Sequence, residues 1–245
     1  MLKDGERIDQ LYSQNVQIIQ SADVFSFSLD AVLLANFARI GKRDRRVVDL
    51  CAGNGAVGLF LTAKTQAQIT MIEIQPKLAD MAQRSVKLNQ LADQVTVINA
   101  DLKDSFNYLR KDSVDVITVN PPYFVNYNDS HKNPNPHLAL ARHELATNLE
   151  SVVKTSSGLL KMNAKFFCVF RPDRLTDLLV TMRANRIEPK RIQFVRSHIG
   201  DNANMVLVEG IKDGKLNGVN VIADLIVYDG DQYSKSVKKM LYGEQ

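Results

Sequence analysis

The sequence predicts an α/β fold built on a doubly wound, mostly parallel sheet, with an antiparallel hairpin strand near the C-terminus. Three observations predict it. Short apolar runs alternate with helical patterns over most of the chain, which implies βαβ crossovers. The runs "VDVITV" and "KFFCVF" are almost continuously apolar, as strands covered on both faces must be. Two late strand patterns, 191–197 and 204–212, follow each other with no room for a helix, so they should pair antiparallel.

Taken in order, "RVVDL" (46–50) is the first sheet strand, followed by the Gly-rich "CAGNGAVG" and a helix over "AVGLFLTAKT". "ITMIEI" (69–74) precedes a helix in which Leu78, Met81, Ala82, Val86 and Leu88 recur near a 3.6 period. "VTVINAD" (95–101) and "VDVITVN" (114–120) are the next strands. A polar loop (126–137) leads to a helix from about 143 to 161, then "KFFCVF" (165–170) and the helix "RLTDLLVTMRANR". "VIADLIVYDG" (221–230) adds an edge strand. Residues 1–45 are expected to form an N-terminal appendage, and 46–245 the main domain.

Composition sets outer bounds. The chain has 245 residues, 45% hydrophobic and 24% charged, ordinary for a globular protein. Cys51 and Cys168 are too few for a disulfide framework or a zinc cluster. The opening "MLKDGERIDQ" is polar, so no secretory signal is expected. No apolar run approaches bilayer length, and a cytoplasmic location is expected. A net charge of +4 and a sequence pI of about 9.0 lean mildly toward polyanionic partners.

Chemistry is expected at the carboxyl ends of the first four sheet strands, where Asp49, Glu73, Asp101 and Asn120 stand in order. Parallel strands bring these tips to one edge, the edge where open α/β sheets bind ligands. Gly53 and Gly55 suit a tight turn with close backbone approach, and Gly58 suits close helix–sheet packing. Glu73 falls near the spacing of an acid that takes ribose hydroxyls, and Asp101 can accept from an exocyclic adenine amine or simply cap a helix. NAD(P) and S-adenosylmethionine both fit these features.

"TVNPPYFVN" (118–126) separates the two. Pro121 and Pro122 cannot join a ladder, so the strand stops abruptly. Hydride transfer has no evident use for this stretch, but methylation of a planar amine has. The Asn120 side-chain oxygen and the Pro121 carbonyl can accept the two N–H bonds together, drawing the nitrogen toward tetrahedral geometry and aiming its lone pair. Tyr123 can stack on a base taken out of its stack.

"DLCAGNGAVGL", Glu73, "NADL" and "VNPPYF" resemble the motifs of a Rossmann-like class I S-adenosylmethionine-dependent methyltransferase of the Asn-Pro-Pro-Tyr group. "VQIIQSADVFSFSLDAVLLANFA", "ARHE" and "PKRIQFVRS…ANMVLVEGIK" extend the likeness to the bacterial tRNA(Val) adenine-37 N6-methyltransferase family, closest to its Gram-positive branch. The resemblance implies S-adenosylmethionine as cofactor, tRNA as partner, no metal, and an adenine N6 amine as acceptor. It implies a cofactor site of Asp49, Ala52, Gly53, Asn54, Gly55, Glu73, Ile74, Asp101, Leu102 and Asn120, and a catalytic set of Asn120, Pro121, Pro122 and Tyr123. It also places Phe27 and Asp30 against the cofactor's methionine end; read plainly, "SLDAVLLA" is a capped helix start. Cys51 stands where the general pattern often has Gly.

Basic residues cluster at 39–46 and from Arg171 to Arg196, including Arg174, Arg183, Arg186, Lys190 and Arg191. Such positions can follow a phosphate backbone or form an ordinary solvated face. The loop "NYNDSHKNPNPH" is expected to order on RNA. His131, His137, His143 and His198 show no metal spacing. Rival readings are a protein glutamine-N5 methyltransferase, an rRNA guanine-N2 methyltransferase, an NAD(P)-binding oxidoreductase and an idle RNA-binding module. The glutamine enzymes usually carry a longer N-terminal helical domain, whereas fewer than 50 residues precede the Gly loop here.

Overall fold

The computed structural model describes residues 2–21, 29–121 and 149–243. Among these, the sheet strands are β3 (Arg46–Leu50), β4 (Gln68–Glu73), β5 (Val95–Asn99), β6 (Val114–Val119), β7 (Leu160–Phe170), β8 (Ile187–Arg196), β9 (Ala203–Lys212) and β10 (Asn220–Ile226). They lie in the order β10-β8-β9-β7-β6-β3-β4-β5. β3, β4, β5, β6 and β7 are mutually parallel. The expected hairpin is β8–β9, antiparallel, with β10 parallel to β8 at the edge. Beyond what periodicity predicts, β9 inserts between β7 and β8, antiparallel to both. β7 and β8 also begin earlier than their apolar runs suggest. Pro189 is accommodated where the β8–β9 register shifts, since a proline cannot complete a regular ladder.

Helices α2 (Ala56–Thr62), α3 (Pro76–Leu88), α4 (Leu149–Leu159) and α5 (Leu175–Ala184) connect the strands. α3 starts on Pro76, whose fixed φ suits the first helical position. Its Leu78, Met81, Ala82 and Val86 are buried, while Leu88 is exposed. Two large clusters of buried side chains fill the two faces of the sheet.

Before the sheet stand a hairpin, β1 (Glu6–Leu11) with β2 (Val16–Ser21), and the helix α1 (Leu29–Phe37). Asn15 turns the hairpin with φ 52°. The free edge of β2 is satisfied by helix side chains rather than by another strand. Ser85 Oγ accepts from Ile19 N (2.9 Å), and Asn89 both accepts from Gln17 N (2.8 Å) and donates to Gln17 O (2.6 Å). Arg84 closes the contact with a two-pronged bond to Glu6 at 2.6 Å.

The C-terminal carbonyls of α1 would otherwise lack partners. Lys64 Nζ donates to the carbonyls of Ala35, Asn36 and Ala38 (2.7, 3.0 and 2.8 Å), and Arg191 donates to that of Phe37 at 2.7 Å. The Arg191 guanidinium also lies 3.7 Å from the centre of the Phe37 ring. A short antiparallel pair, β11 (Tyr228–Asp229) with β12 (Gln232–Tyr233), and the helix α6 (Lys235–Tyr242) follow. Among the described residues no helix is long and apolar enough to cross a membrane.

Candidate active site

Because β3 to β6 are parallel, Asp49, Glu73, Asp101 and Asn120 all lie toward one edge. Leu50 pairs with Val119, which puts Asn120 level with Cys51 at the start of the Gly loop. The loop leaves the sheet through Ala52, whose N–H bonds the Ile72 carbonyl at 3.0 Å, and closes on itself through Gly55 N to Ala52 O at 2.9 Å. Cys51 (φ 56°), Gly53 (φ 58°) and Gly55 (φ 87°) are all left-handed. The Cys51 value accounts for the glycine common at that position: a side chain there is held against a backbone preference of about 1–2 kcal/mol. A side chain at Gly58 would meet the Met71 sulfur at 2.6 Å, so that glycine serves close helix–sheet packing as expected. At Gly53 nothing lies within 4 Å of an added Cβ, so the loop's crest faces open space.

The two acids nearest the loop hold it from beneath. Asp49 is 1% exposed and turns inward. Its Oδ1 accepts from the Thr118 hydroxyl (2.7 Å) and its Oδ2 from the Gly58 N–H (3.1 Å). It is therefore a brace between β6, β3 and α2. The partners explain the direction: a fully buried carboxylate needs donors, and strand register sets Thr118 beside it. Glu73 is also buried, accepting from Gly53 N and Gln75 N at 2.8 Å each. Burial raises the carboxyl pKa of both, that of Asp49 to about 7.

The Asp49 shift has a testable sign. The folded chain holds a proton on Asp49 between about pH 4 and 7 that the unfolded chain releases. Stability from this group is therefore undiminished at low pH and declines as pH rises toward 7. Asp49→Asn, whose amide can bond Gly58 and a rotated Thr118 hydroxyl, lacks that decline. The stability of the variant relative to wild type is expected to improve from pH 5 to 7, by at most about 1.4 kcal/mol per pH unit. Urea unfolding at several pH values measures this; a pH-independent difference would refute it.

The remaining predicted residues divide. Asn54 is buried and donates to Ile19 O at 3.2 Å, tying the Gly loop to β2. The Ile74 carbonyl accepts from Asn99, as does that of Glu73. Asp101 caps the following 3-10 turn by accepting from Lys103 N at 2.9 Å, the plain alternative the sequence offered. Leu102 is buried against the cluster that contains Leu50 and Ile72. Asp30 is buried in the first turn of α1. Asn120 is partly exposed and Pro121 buried. Phe27, Pro122, Tyr123, the loop 126–137, residues 141–144 and His131, His137 and His143 lie outside the described residues. Thr118 was missed by sequence reasoning; a threonine inside an otherwise apolar strand, two places before Asn120, was the available signal.

The later basic stretch is mostly committed to carboxylates. Arg174 pairs with Asp177, Arg183 with Glu188, Arg186 with Asp213, Arg191 with Glu209 and Arg196 with Asp224. Lys190 donates to the carbonyls of Lys215 and Asn217. In the folded chain these side chains therefore already have carboxylate or carbonyl partners.

Comparison with known proteins agrees with this architecture. A curated protein from Porphyromonas gingivalis, named tRNA1(Val) (adenine(37)-N6)-methyltransferase, is 27% identical over 186 residues, 74% of this chain and 72% of that protein. One of the same name from Bacteroides thetaiotaomicron is 32% identical over 146 residues, 59% of each chain. Among solved structures, a predicted O-methyltransferase from Agrobacterium tumefaciens superposes with TM-score 0.69 at 22% identity, covering 87% of this chain and 95% of that one. P. horikoshii TYW2 in complex with MeSAdo gives 0.60 at 15% identity, covering 86% and 73%. The model of the Methyltransferase small domain matches residues 15–159, from the β1–β2 turn through α4, and the chain belongs to that family.

Proposed function

We propose that the protein methylates the exocyclic N6 amine of an adenine in tRNA, at position 37, with S-adenosylmethionine as donor. The observation that carries this is the placement of Asn120 and Pro121 at the tip of β6, level with the start of the Gly loop. The family supports methyl transfer over hydride transfer, and the names of the relatives supply the nucleotide. The residues fit an adenosyl ligand. The Gly53 crest is open, and a carboxylate has about four acceptor positions, of which the Gly53 and Gln75 amides take two on Glu73.

S-adenosylmethionine supplies an electrophilic methyl group. The chain's own residues prepare the amine. An adenine N6 lone pair is delocalised into the ring and is a weak nucleophile. The Asn120 carboxamide oxygen and the Pro121 carbonyl accept its two N–H bonds, fixing the nitrogen, drawing it toward tetrahedral geometry and freeing its lone pair from conjugation with the ring. The surplus proton leaves to solvent after transfer, so no general base is needed. We place Tyr123 against the base, residues 1–45 beside the cofactor site with Phe27 and Asp30 at its methionine end, and the enzyme in the cytoplasm with its substrate.

Labelled S-adenosylmethionine incubated with unmodified bulk tRNA tests the reading. The expected product after digestion is N6-methyladenosine. Label absent from tRNA but present in rRNA, or on a glutamine amide of a protein, would replace the substrate assignment.

A further inference from the structure

The two basic stretches, alike in sequence, have opposite fates in the fold. The later arginines are paired with carboxylates, as described above. Of the earlier ones Arg39 pairs with Glu209, but the other four, in the turn between α1 and β3 and at the first residue of β3, do not. Lys42, Arg43, Arg45 and Arg46 are all exposed, and among the described residues none of their side chains meets a carboxylate. The acids beside them are already consumed. Asp44 accepts from Gly41 N (2.6 Å) and Lys165 Nζ (3.1 Å). Asp115 accepts from the backbone amides of Arg45 and Arg46 (2.8 and 2.9 Å) and from Lys161. Backbone amides and inward lysines thus neutralise the local carboxylates and leave four outward cations uncompensated. A cleft of about 420 Å³, lined by Lys42, Arg45, Lys64 and Thr65 among others, opens beside the turn.

We infer that this turn is a remote docking surface for the phosphate backbone of a folded RNA substrate. The inference rests on the RNA reading above and deepens it. The turn precedes β3, so it lies at the amino edge of the sheet, whereas Asn120 lies at the carboxyl edge. A strand of this length separates the two by at least roughly 15 Å. An RNA that touches both must run its backbone several nucleotides beyond the target base; a trinucleotide centred on that base does not reach. Backbone docking of this kind carries no base information and weakens steeply with salt.

The test compares wild type with the variant Lys42→Ser, Arg43→Ser, Arg45→Ser, Arg46→Ser, and with the two pairwise variants should the fourfold one fold poorly. S-adenosylmethionine binding reports the integrity of the fold. Affinity for full-length tRNA is expected to fall at least about tenfold, and the slope of log affinity against log salt to shrink by about 3. Methylation of a trinucleotide centred on the target adenine, too short to span that distance, is expected to stay unchanged. Unaltered tRNA affinity and slope would overturn the inference, and so would an equal loss on the trinucleotide, since the turn would then act at the site and not at a distance. A wild-type chain that binds tRNA without methylating it would count against the substrate reading alone, with the slope comparison still deciding the role of the turn.

Discussion

Asn120→Ala is expected to lower methyl transfer at least about 100-fold, the scale set by removing one well-placed polar group from a reacting centre. Affinity for S-adenosylmethionine should stay within about threefold of wild type. The reasoning is local. Asn120 closes β6 at the level of Cys51 and is partly exposed, whereas the loop conformation is set by other groups. Glu73 holds Gly53, Asp49 holds Gly58, and Asn54 holds β2. Truncating Asn120 removes one acceptor for the amine and disturbs none of these. Single-turnover transfer from labelled donor and calorimetric binding separate the two effects. An Asn120→Ala chain with near-normal turnover would end the proposed role of the carboxamide. One that lost donor binding in parallel would move Asn120 from preparing the amine to holding the cofactor.

Glu209→Ala should give the largest loss of stability. Glu209 is 3% exposed and lies between two arginines. Arg191 donates to it at 2.7 Å and Arg39 at 2.8 and 2.9 Å. Arg191 is the less free of the two. It stands opposite Glu209 in the β8–β9 register, with its guanidinium on the Phe37 ring and a bond to the Phe37 carbonyl. Removing the carboxylate strands a largely buried cation, a change that costs about 3–5 kcal/mol. For a chain of this size that is a fall in Tm of roughly 6–20 °C. Replacing both partners, Arg191→Met with Glu209→Met, should recover much of the loss, because no buried charge is then left alone. Thermal unfolding of the single and double variants decides it. If the double variant is as unstable as the single, the loss comes from packing around Phe37 and not from an unpaired charge.

The parallel sheet was legible because its signals are one-dimensional. Apolar runs such as "VDVITV" and "KFFCVF" must be covered on both faces, and helical periods between them force crossovers. Gly53, Gly55 and Gly58 were legible for a similar reason, since backbone freedom and absent side-chain volume are properties of the residue itself. Asn120 announced itself because two prolines stop β6 immediately after it.

Where a side chain points was not legible. Asp49 and Glu73 occupy strand ends as the sequence predicts, yet Asp49 turns down to Thr118 and Gly58. Only the β3–β6 register brings that hydroxyl within reach. The position of β9 between β7 and β8 depends on hydrogen bonds between residues far apart in sequence, which no local period records. The two basic stretches differ by the same logic. Arginine composition determines that charge is available, but the fold decides which cations meet a carboxylate and which are left facing outward. The sequence positions of strands and helices, helix phase and the backbone freedom of the Gly loop follow from residue type; the place of β9 in the sheet and the direction and partner of each polar group follow from which amides and charges the folded chain sets beside it, because a polar group taken out of water must bond to whatever lies within about 3 Å.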